Sequence, residues 1–443
     1  MVRQCSNCQT AGRSLWQTHA VESAKLFLIS AEQEKSSANV YTIQMKNLSI
    51  AIAGCGTAGL AAAIYLGRAG HQVQLFERSA ELKPLGAGLL LQPTGLGVLR
   101  ELGLFELADS CGQRVDRLYG QTPAGRRVMD MRYRDLDSSC FGLGIQRGAL
   151  FQTLLGALPK SVSVRLSVTL TSVDNATGTV TEASGERFGP HDLVVIADGA
   201  HSALRSSFAH VCSRDRAYPW GAVWCLVKDK DARFAQVLNQ RYRTAKAMCG
   251  LLPVGHLPDE TRSADKLCVY WSLPTNKFAD WEFQGLGNWR SHVHELWPDA
   301  ADLLAQIQHP EQTAKATYRD VVHKRWFDGR AVLLGDSAHA MSPQLGQGAN
   351  MALLDARALC QALAAHNDLA SALGAYDQVR REHVGIYQFI SRWLTPLFQS
   401  DSATAALIRD WCMYPVGRIP GIKGQTLKVL AGIQKGLFGR LVL

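Results

Sequence analysis

The uncharged run Leu48-Ser49-Ile50-Ala51-Ile52-Ala53 leads directly into Gly54-Cys55-Gly56-Thr57-Ala58-Gly59, and good helix formers continue from Leu60 to Arg68. A short apolar run suits a strand buried on both faces of a parallel sheet. Three glycines at that spacing then permit a tight turn, close approach of backbone to a bound group, and close contact between helix and strand. Leu48 to Gly67 is twenty residues without a charge, long enough on its own for a membrane span. Its internal order predicts strand, turn and helix instead. Val73-Gln74-Leu75-Phe76-Glu77 supplies the next strand after a helix end at Gly70, completing a βαβ unit of about 30 residues.

Such a unit is built to hold a dinucleotide. The helix N-terminus offers unpaired N–H groups and the positive end of its dipole to a pyrophosphate. Glu77, twenty-three residues after Gly54, stands where a ribose hydroxyl is bound. Gly54, Gly56, Thr57, Ala58, Gly59, Glu77 and the adjacent Arg78 are therefore expected to contact the cofactor. An acid at Glu77 disfavours the extra phosphate of NADP, which leaves FAD or NAD as the tightly held nucleotide.

A chain of 443 residues exceeds what one core usually organises, so about two domains are expected. Asp192 to Ala197 and Arg330 to Gly335 read as further strands of the first sheet, each leading into small residues. Between about Ser213 and Asp320 the texture changes to alternating or aromatic runs such as Ala222 to Val227 and Leu267 to Leu273, which suit antiparallel strands. Six of the ten tryptophans lie there. In a strand Tyr270 and Trp271 point to opposite faces, so at most one of them lines a pocket. After Gly348 the pattern is helical to about Ile390, followed by a basic tail punctuated by Pro and Gly.

Three more strings narrow the class. Gly335-Asp336-Ser337-Ala338-His339-Ala340-Met341-Ser342-Pro343-Gln344-Leu345-Gly346-Gln347-Gly348-Ala349-Asn350 places a carboxylate suited to a polyol after a strand, a stiffening proline, and glycines before a helix start. Asp192 to Arg205 carries Asp198-Gly199, and Gln146-Arg147-Gly148 precedes an apolar helix. From Met45 to about Leu394 the chain resembles the group A flavoprotein monooxygenases, the p-hydroxybenzoate hydroxylase-like aromatic hydroxylases that include ubiquinone-pathway hydroxylases. The resemblance implies an α/β fold: a Rossmann-type FAD-binding domain with an inserted antiparallel-sheet substrate domain and C-terminal helices. It assigns 45–119, 146–212 and 321–393 to the FAD domain, 120–145 and 213–320 to the substrate domain, and 394–443 to a basic helical tail. Residues 1–44 read as an extension dispensable for chemistry, before a natural-looking start at Met45.

The resemblance also implies cofactor contacts from Gly88, Arg147, Asp198, Asp336, Pro343, Gly346, Gly348, Ala349 and Asn350, with Pro343 the candidate neighbour of the flavin ring. Gly86-Ala87-Gly88 looks like the family's loop beside the flavin. Two positions depart from the pattern: Ala197 stands where glycine is frequent, and Thr94 follows Pro93 where asparagine is usual. The implied reaction uses NAD(P)H and O2 to hydroxylate or epoxidise an electron-rich, aromatic or lipophilic molecule through a C4a-hydroperoxyflavin. No second strand-GxGxxG-helix unit appears, so NAD(P)H is expected as a transient co-substrate. A halogenase, a reductase of the same superfamily, and a non-catalytic flavin-binding protein at a membrane are the alternatives. The tryptophan-halogenase pattern WxWxIP is absent.

Composition restricts the partners. Hydrophobic residues make up 47% and charged ones 19%, ordinary for a globular chain. The net charge of +9 is concentrated towards the end, where Arg409, Arg418, Lys423, Lys428, Lys435 and Arg440 face only Asp410 from Thr404 onward. No nucleic-acid partner is expected, while Leu427, Leu430 and Ile433 interleaved with lysines suggest an amphipathic helix in weak contact with a membrane surface. Eleven irregularly spaced cysteines fit a reduced cytoplasmic protein. Cys5 and Cys8 have zinc-knuckle spacing but no second pair, so no metal is expected. Cys55 reads as a small side chain, and His201 and His339 as loop or packing residues inside cofactor motifs. No catalytic acid or base is assigned.

Overall fold

Five strands run parallel in the order Ala331–Leu333, Leu193–Ile196, Ser49–Ala53, Gln72–Phe76 and Val162–Arg165, with Phe327–Asp328 added antiparallel at one edge. The computed structural model describes residues 45 and 47–441 apart from 83–86, 263–264, 285 and 437–438. The extension 1–44, with Cys5 and Cys8, lies outside the described residues, as does Gly86. Ser49–Ala53 is the central strand, and Ile50 to Ala53 are buried. That explains its unbroken apolar run. Helix Thr57–Arg68 follows from Gly56, and Gly70 just beyond its end takes φ +88, the left-handed conformation that terminates helices. The strands predicted over Asp192–Ala197 and Arg330–Gly335 form as Leu193–Ile196 and Ala331–Leu333.

A second sheet has seven strands in the order Thr313–His323, Cys212–Lys228, Lys266–Pro274, Ala247–Gly255, Val237–Arg243, Arg117–Gln121 and Arg127–Arg132. All neighbours are antiparallel except Val237–Arg243 with Arg117–Gln121. It therefore takes in residues a few positions before 120 and after 320. Its outer face is closed by helices Leu286–Leu296 and Ala301–Leu304 and by a cluster that includes Trp271, Trp281, Trp289 and Trp297. Trp271 meets Trp289 edge to face at 6.4 Å, whereas Tyr270 lies on the other face against Trp224 at 5.2 Å.

That inner face packs on a small sheet of Gly88–Leu91, Gly142–Gln146 and Gln113–Val115. Glycine is needed at the contact: a Cβ on Gly144 would overlap the Pro253 carbonyl, and one on Gly88 would overlap Val254. The Gly88 amide donates to Cys268 Sγ at 3.1 Å, tying the two sheets together.

The helical stretch after Gly348 is two helices, Gly348–Ala365 and Leu369–Phe398, divided where Asp368 caps the second by accepting from the Ser371 amide at 2.9 Å. The tail then forms Ala403–Ile408, a helical run continuing to Gly417, and Pro420–Leu430. Leu427, Leu430 and Ile433 are buried, the first two against Ala87, Leu90, Val254 and Cys268. This corrects the expectation that they present an apolar face to a membrane, because the protein core already covers them. Among the described residues no helix is long and apolar enough to cross a membrane.

Candidate active site

The C-terminal ends of the parallel strands converge, which is where an open α/β sheet binds ligands. Gly54 has φ +101, its amide donates to the Phe76 carbonyl at 2.8 Å, and a Cβ there would stand 2.7 Å from the Ala197 oxygen. A Cβ on Gly59 would overlap the Gly54 carbonyl. Around Gly56 a Cβ would meet no protein atom within 4 Å. The first and third glycines thus serve packing, and the second faces open space in front of the helix that begins with Thr57 and Ala58. Glu77 Oε2 accepts from the Cys55 amide at 2.9 Å, and Oε1 from the Ser79 amide at 3.0 Å and hydroxyl at 2.9 Å. Burial alone would raise the Glu77 carboxyl, but these donors and neighbouring Arg78 hold it below the usual range. Cys55 is buried, and burial beside Glu77 lifts its thiol to about 12, so it is an inert small side chain.

The Asp198-Gly199 turn follows strand Leu193–Ile196. Burial raises the Asp198 carboxyl above its ordinary range against the pull of Ser202, the Leu204 amide and Arg205. Oδ2 accepts from Leu204 at 3.4 Å, while Oδ1 is buried with no partner. Ala197 is not among the residues with positive φ, so glycine is not required there, whereas Gly199 has φ +88. Arg205 joins the two motifs by donating to Asp215 at 3.0 Å, the Ala200 carbonyl at 2.9 Å and the Ser337 carbonyl at 3.3 Å. His201 is exposed and bonds Thr317 at 3.1 Å.

Gly335 has φ +63, and Asp336 next to it is exposed, with Oδ1 3.7 Å from the place a Cβ on Gly348 would take. Pro343 opens a single tight turn closed by Gly346, at φ +60, whose amide donates to the Pro343 carbonyl at 2.9 Å. Ala349 is half-buried in the first turn of the helix that Gly348 begins. Asn350 is fully buried: Nδ2 donates to the carbonyls of Gly346 at 3.1 Å and Leu90 at 3.2 Å, and Oδ1 accepts from the Gln92 amide at 2.8 Å. Its polar atoms are spent holding the loop. Arg147 begins helix Arg147–Leu155, is exposed, and has no ion-pair partner among the described residues. Its charge pulls on the phenol of Tyr318 across the boundary between the sheets, although burial still carries that phenol up to about 12.

Sequence reasoning missed the group that fixes these turns. Asp355 is fully buried and accepts from the Gly335 amide at 2.9 Å, His339 Nε2 at 2.6 Å and Arg380 Nε at 2.7 Å. Arg380 also bonds His383 Nδ1 at 2.7 Å, and His383 Nε2 donates to the Gly432 carbonyl at 2.8 Å. The available signal was a lone acid within the stretch Met351 to Leu359, which is otherwise apolar except for Arg357. His339 is thus a structural partner of Asp355, with no proton path visible. Burial and then Arg380 push His383 down to about 3, so the folded state holds it neutral. Its stabilising effect is complete above the ordinary value near 6.5 and is lost as pH falls towards 3. Thermal unfolding should therefore lose about 1.4 kcal/mol per pH unit from this proton between pH 6 and 4. His383→Gln should flatten that slope by the same amount; an unchanged slope would exclude the assignment.

A family described as FAD binding domain matches residues 47–385. The chain is 29% identical to a kynurenine 3-monooxygenase of Salinispora tropica, covering 77% of this chain and 78% of that one. It is 31% identical to a 3-amino-4-hydroxybenzoate 2-monooxygenase of Streptomyces platensis, over 76% and 84% respectively. The fold is shared with the tetrameric form of 2-methyl-3-hydroxypyridine-5-carboxylic acid oxygenase, with a TM-score of 0.71, 22% identity, and coverage of 89% and 99%. This chain belongs to the group A FAD-dependent aromatic monooxygenases.

Proposed function

We propose that this monooxygenase oxidises a small aromatic molecule bearing an amino or hydroxyl group, held between the cofactor site and the inner face of the seven-stranded sheet. The supporting observation is a pair of polar atoms on that face, Trp224 Nε1 and the Tyr318 hydroxyl, whose atoms are buried without a well-formed hydrogen bond. Trp224 lies close enough to Tyr318 for its N–H to favour the ionised phenol against the effect of burial. A buried unsatisfied donor costs about 1–3 kcal/mol, and a ligand that accepts from it removes that penalty. Tyr270 lies beside Trp224, its ring tilted by 41°, and adds aromatic surface to that face. Two of the relatives carry names of ring acids with amino or hydroxyl groups, which fits a ligand that takes up those contacts.

The chain's residues fit FAD. The amides of Gly56, Thr57 and Ala58 would take the pyrophosphate in the open space beyond Gly56, with Gly54 and Gly59 allowing the turn and Glu77 beside Arg78 receiving the ribose. The unpartnered Oδ1 of Asp198 and the exposed carboxylate of Asp336 suit the hydroxyls of the linking chain. Pro343, Gly346, Gly348 and Ala349 would border the ring, with Gly88 and Arg147 on the side of the small sheet and Asn350 acting through the loop it holds. Bound FAD supplies the oxygen chemistry once NAD(P)H has reduced it. The protein's part is to orient the ring, keep water out, and present the Trp224 and Tyr318 donors to substrate. At neutral pH the Tyr318 phenol is un-ionised and can donate.

The test is to purify the protein, record its flavin absorbance, and screen aminobenzoates and hydroxybenzoates for faster NAD(P)H oxidation coupled to a product carrying label from 18O2. Trp224→Phe with Tyr318→Phe should raise KM about tenfold or more while flavin content stays constant, since one or two hydrogen bonds of about 1 kcal/mol each are lost. Flavin-free protein, or oxidation indifferent to every ring compound, would overturn the proposal.

A further inference from the structure

The helical run from Ala403 to Gly417 is inverted relative to an ordinary surface helix. Its inward side carries a charge: Arg409 is fully buried, with its guanidinium 4.9 Å from the Tyr242 ring and 5.6 Å from the Phe398 ring. The charge is met by Asp410 at 2.7 Å and by the carbonyls of Thr244 at 2.9 Å and Leu397 at 3.0 Å. Its outward side carries Leu407, Ile408 and Trp411, and the next turn and helix add Ile419 and Ile422. Ile408 and Trp411 are three residues apart, one face of a helix, and Trp411 is 59% exposed. An amphipathic helix normally turns its apolar stripe to the core. Here the stripe faces out, although the run is anchored inward through Arg409.

We propose that this outward face docks on an anionic lipid surface. Charge selects that occupant. Around the stripe stand Arg126, whose guanidinium lies 3.3 Å from the Trp411 ring centroid, Arg127, which reaches Tyr414 at 3.3 Å, and Arg418, 5.9 Å from the same Tyr414 ring. The acids nearby are already committed, Asp410 to Arg409 and Asp135 to Lys423 at 2.8 Å. Tryptophan, isoleucine and leucine with arginines at the edge form the composition that lies in a membrane interface, apolar side in the acyl boundary and cations at the headgroups. A second copy related by a two-fold axis would bring these cations against their own equivalents, which disfavours self-association through this face. The proposal does not depend on the catalytic reading, since it concerns a face that does not include Trp224 or Tyr318.

The full-length, flavin-loaded protein should co-sediment with vesicles of three parts phosphatidylcholine to one part phosphatidylglycerol, but not with phosphatidylcholine alone, and 0.5 M salt should release it. Ile408→Ser with Trp411→Ser should weaken binding at least tenfold, and Arg418→Glu should weaken it at low salt. All variants should keep their melting temperature and flavin absorbance. Leu107→Ser, an exposed apolar residue elsewhere, should bind like the parent. Truncation near Pro420 is a poor test because it removes Leu427 and Leu430 from the core. Absence of sedimentation with the anionic vesicles would overturn the proposal, as would binding indifferent to the Ile408 and Trp411 changes. So would a concentration-dependent dimer that the same changes dissolve, which would assign the face to a second copy.

Discussion

Gly56→Ala should leave the flavin-free protein as stable as the parent and yet weaken FAD about 10- to 100-fold, whereas Gly59→Ala should damage both. The difference follows from what surrounds each glycine. Gly56 is exposed, has φ −75, and a Cβ there would meet no protein atom within 4 Å. Alanine is therefore free of strain and of clashes in the apoprotein, and an exposed change of this kind usually stays within about 0.5 kcal/mol. The methyl would instead occupy the space where pyrophosphate approaches the helix. It would lengthen one or two charge-assisted hydrogen bonds of about 1.5–3 kcal/mol each. At Gly59 the methyl would overlap the Gly54 carbonyl. The helix would have to shift off the strand, at about 1–3 kcal/mol or more of overpacking. Thermal unfolding of apoprotein and titration with FAD separate the two effects. If Gly56→Ala bound FAD like the parent, the pyrophosphate would have to lie elsewhere.

This contrast also shows what the sequence could and could not say. The glycine spacing, the apolar strand before it and Glu77 were enough to read the dinucleotide unit, because each carries a local requirement of turn, approach or hydrogen bond. The division of labour among the glycines was not readable, since it depends on Ala197 arriving from a strand more than a hundred residues away. The same limit applies to Asn350, whose place in a motif suggested a cofactor contact while its partners are Gly346, Leu90 and Gln92. Leu427, Leu430 and Ile433 misled for a related reason. Helical spacing of apolar residues states that a face is buried, but not whether a membrane or the chain's own core buries it. The outward stripe at Ile408 and Trp411 was obscured because Arg409 lies between them, and an arginine in sequence gives no sign that it points inward. Opposite faces for Tyr270 and Trp271 were readable, because alternation along a strand is a property of the backbone itself.

Asp355→Ala should be among the most destabilising single changes, costing about 3–5 kcal/mol, because it leaves Arg380 as a buried cation without its counter-ion. It also strands His339 and the Gly335 amide, both of which bond the same carboxylate. Against a total stability of about 5–15 kcal/mol, the variant should melt far earlier or fail to accumulate as soluble protein. The Asp355 carboxyl would be raised by burial, but His339 and Arg380 hold it well below the usual range. Its contribution is therefore present above the ordinary value near 3.8 and disappears only in strong acid. Asp355→Leu combined with Arg380→Met separates a missing partner from a missing charge. With both ions gone the double variant should be less destabilised than the sum of the singles by at least about 1 kcal/mol. Surviving protein should also bind FAD more weakly, because the released Gly335 amide no longer fixes the turn that presents Asp336 beside Gly348. Strict additivity of the two single changes, or full flavin affinity in Asp355→Ala, would remove Asp355 from its place as the clamp on that turn.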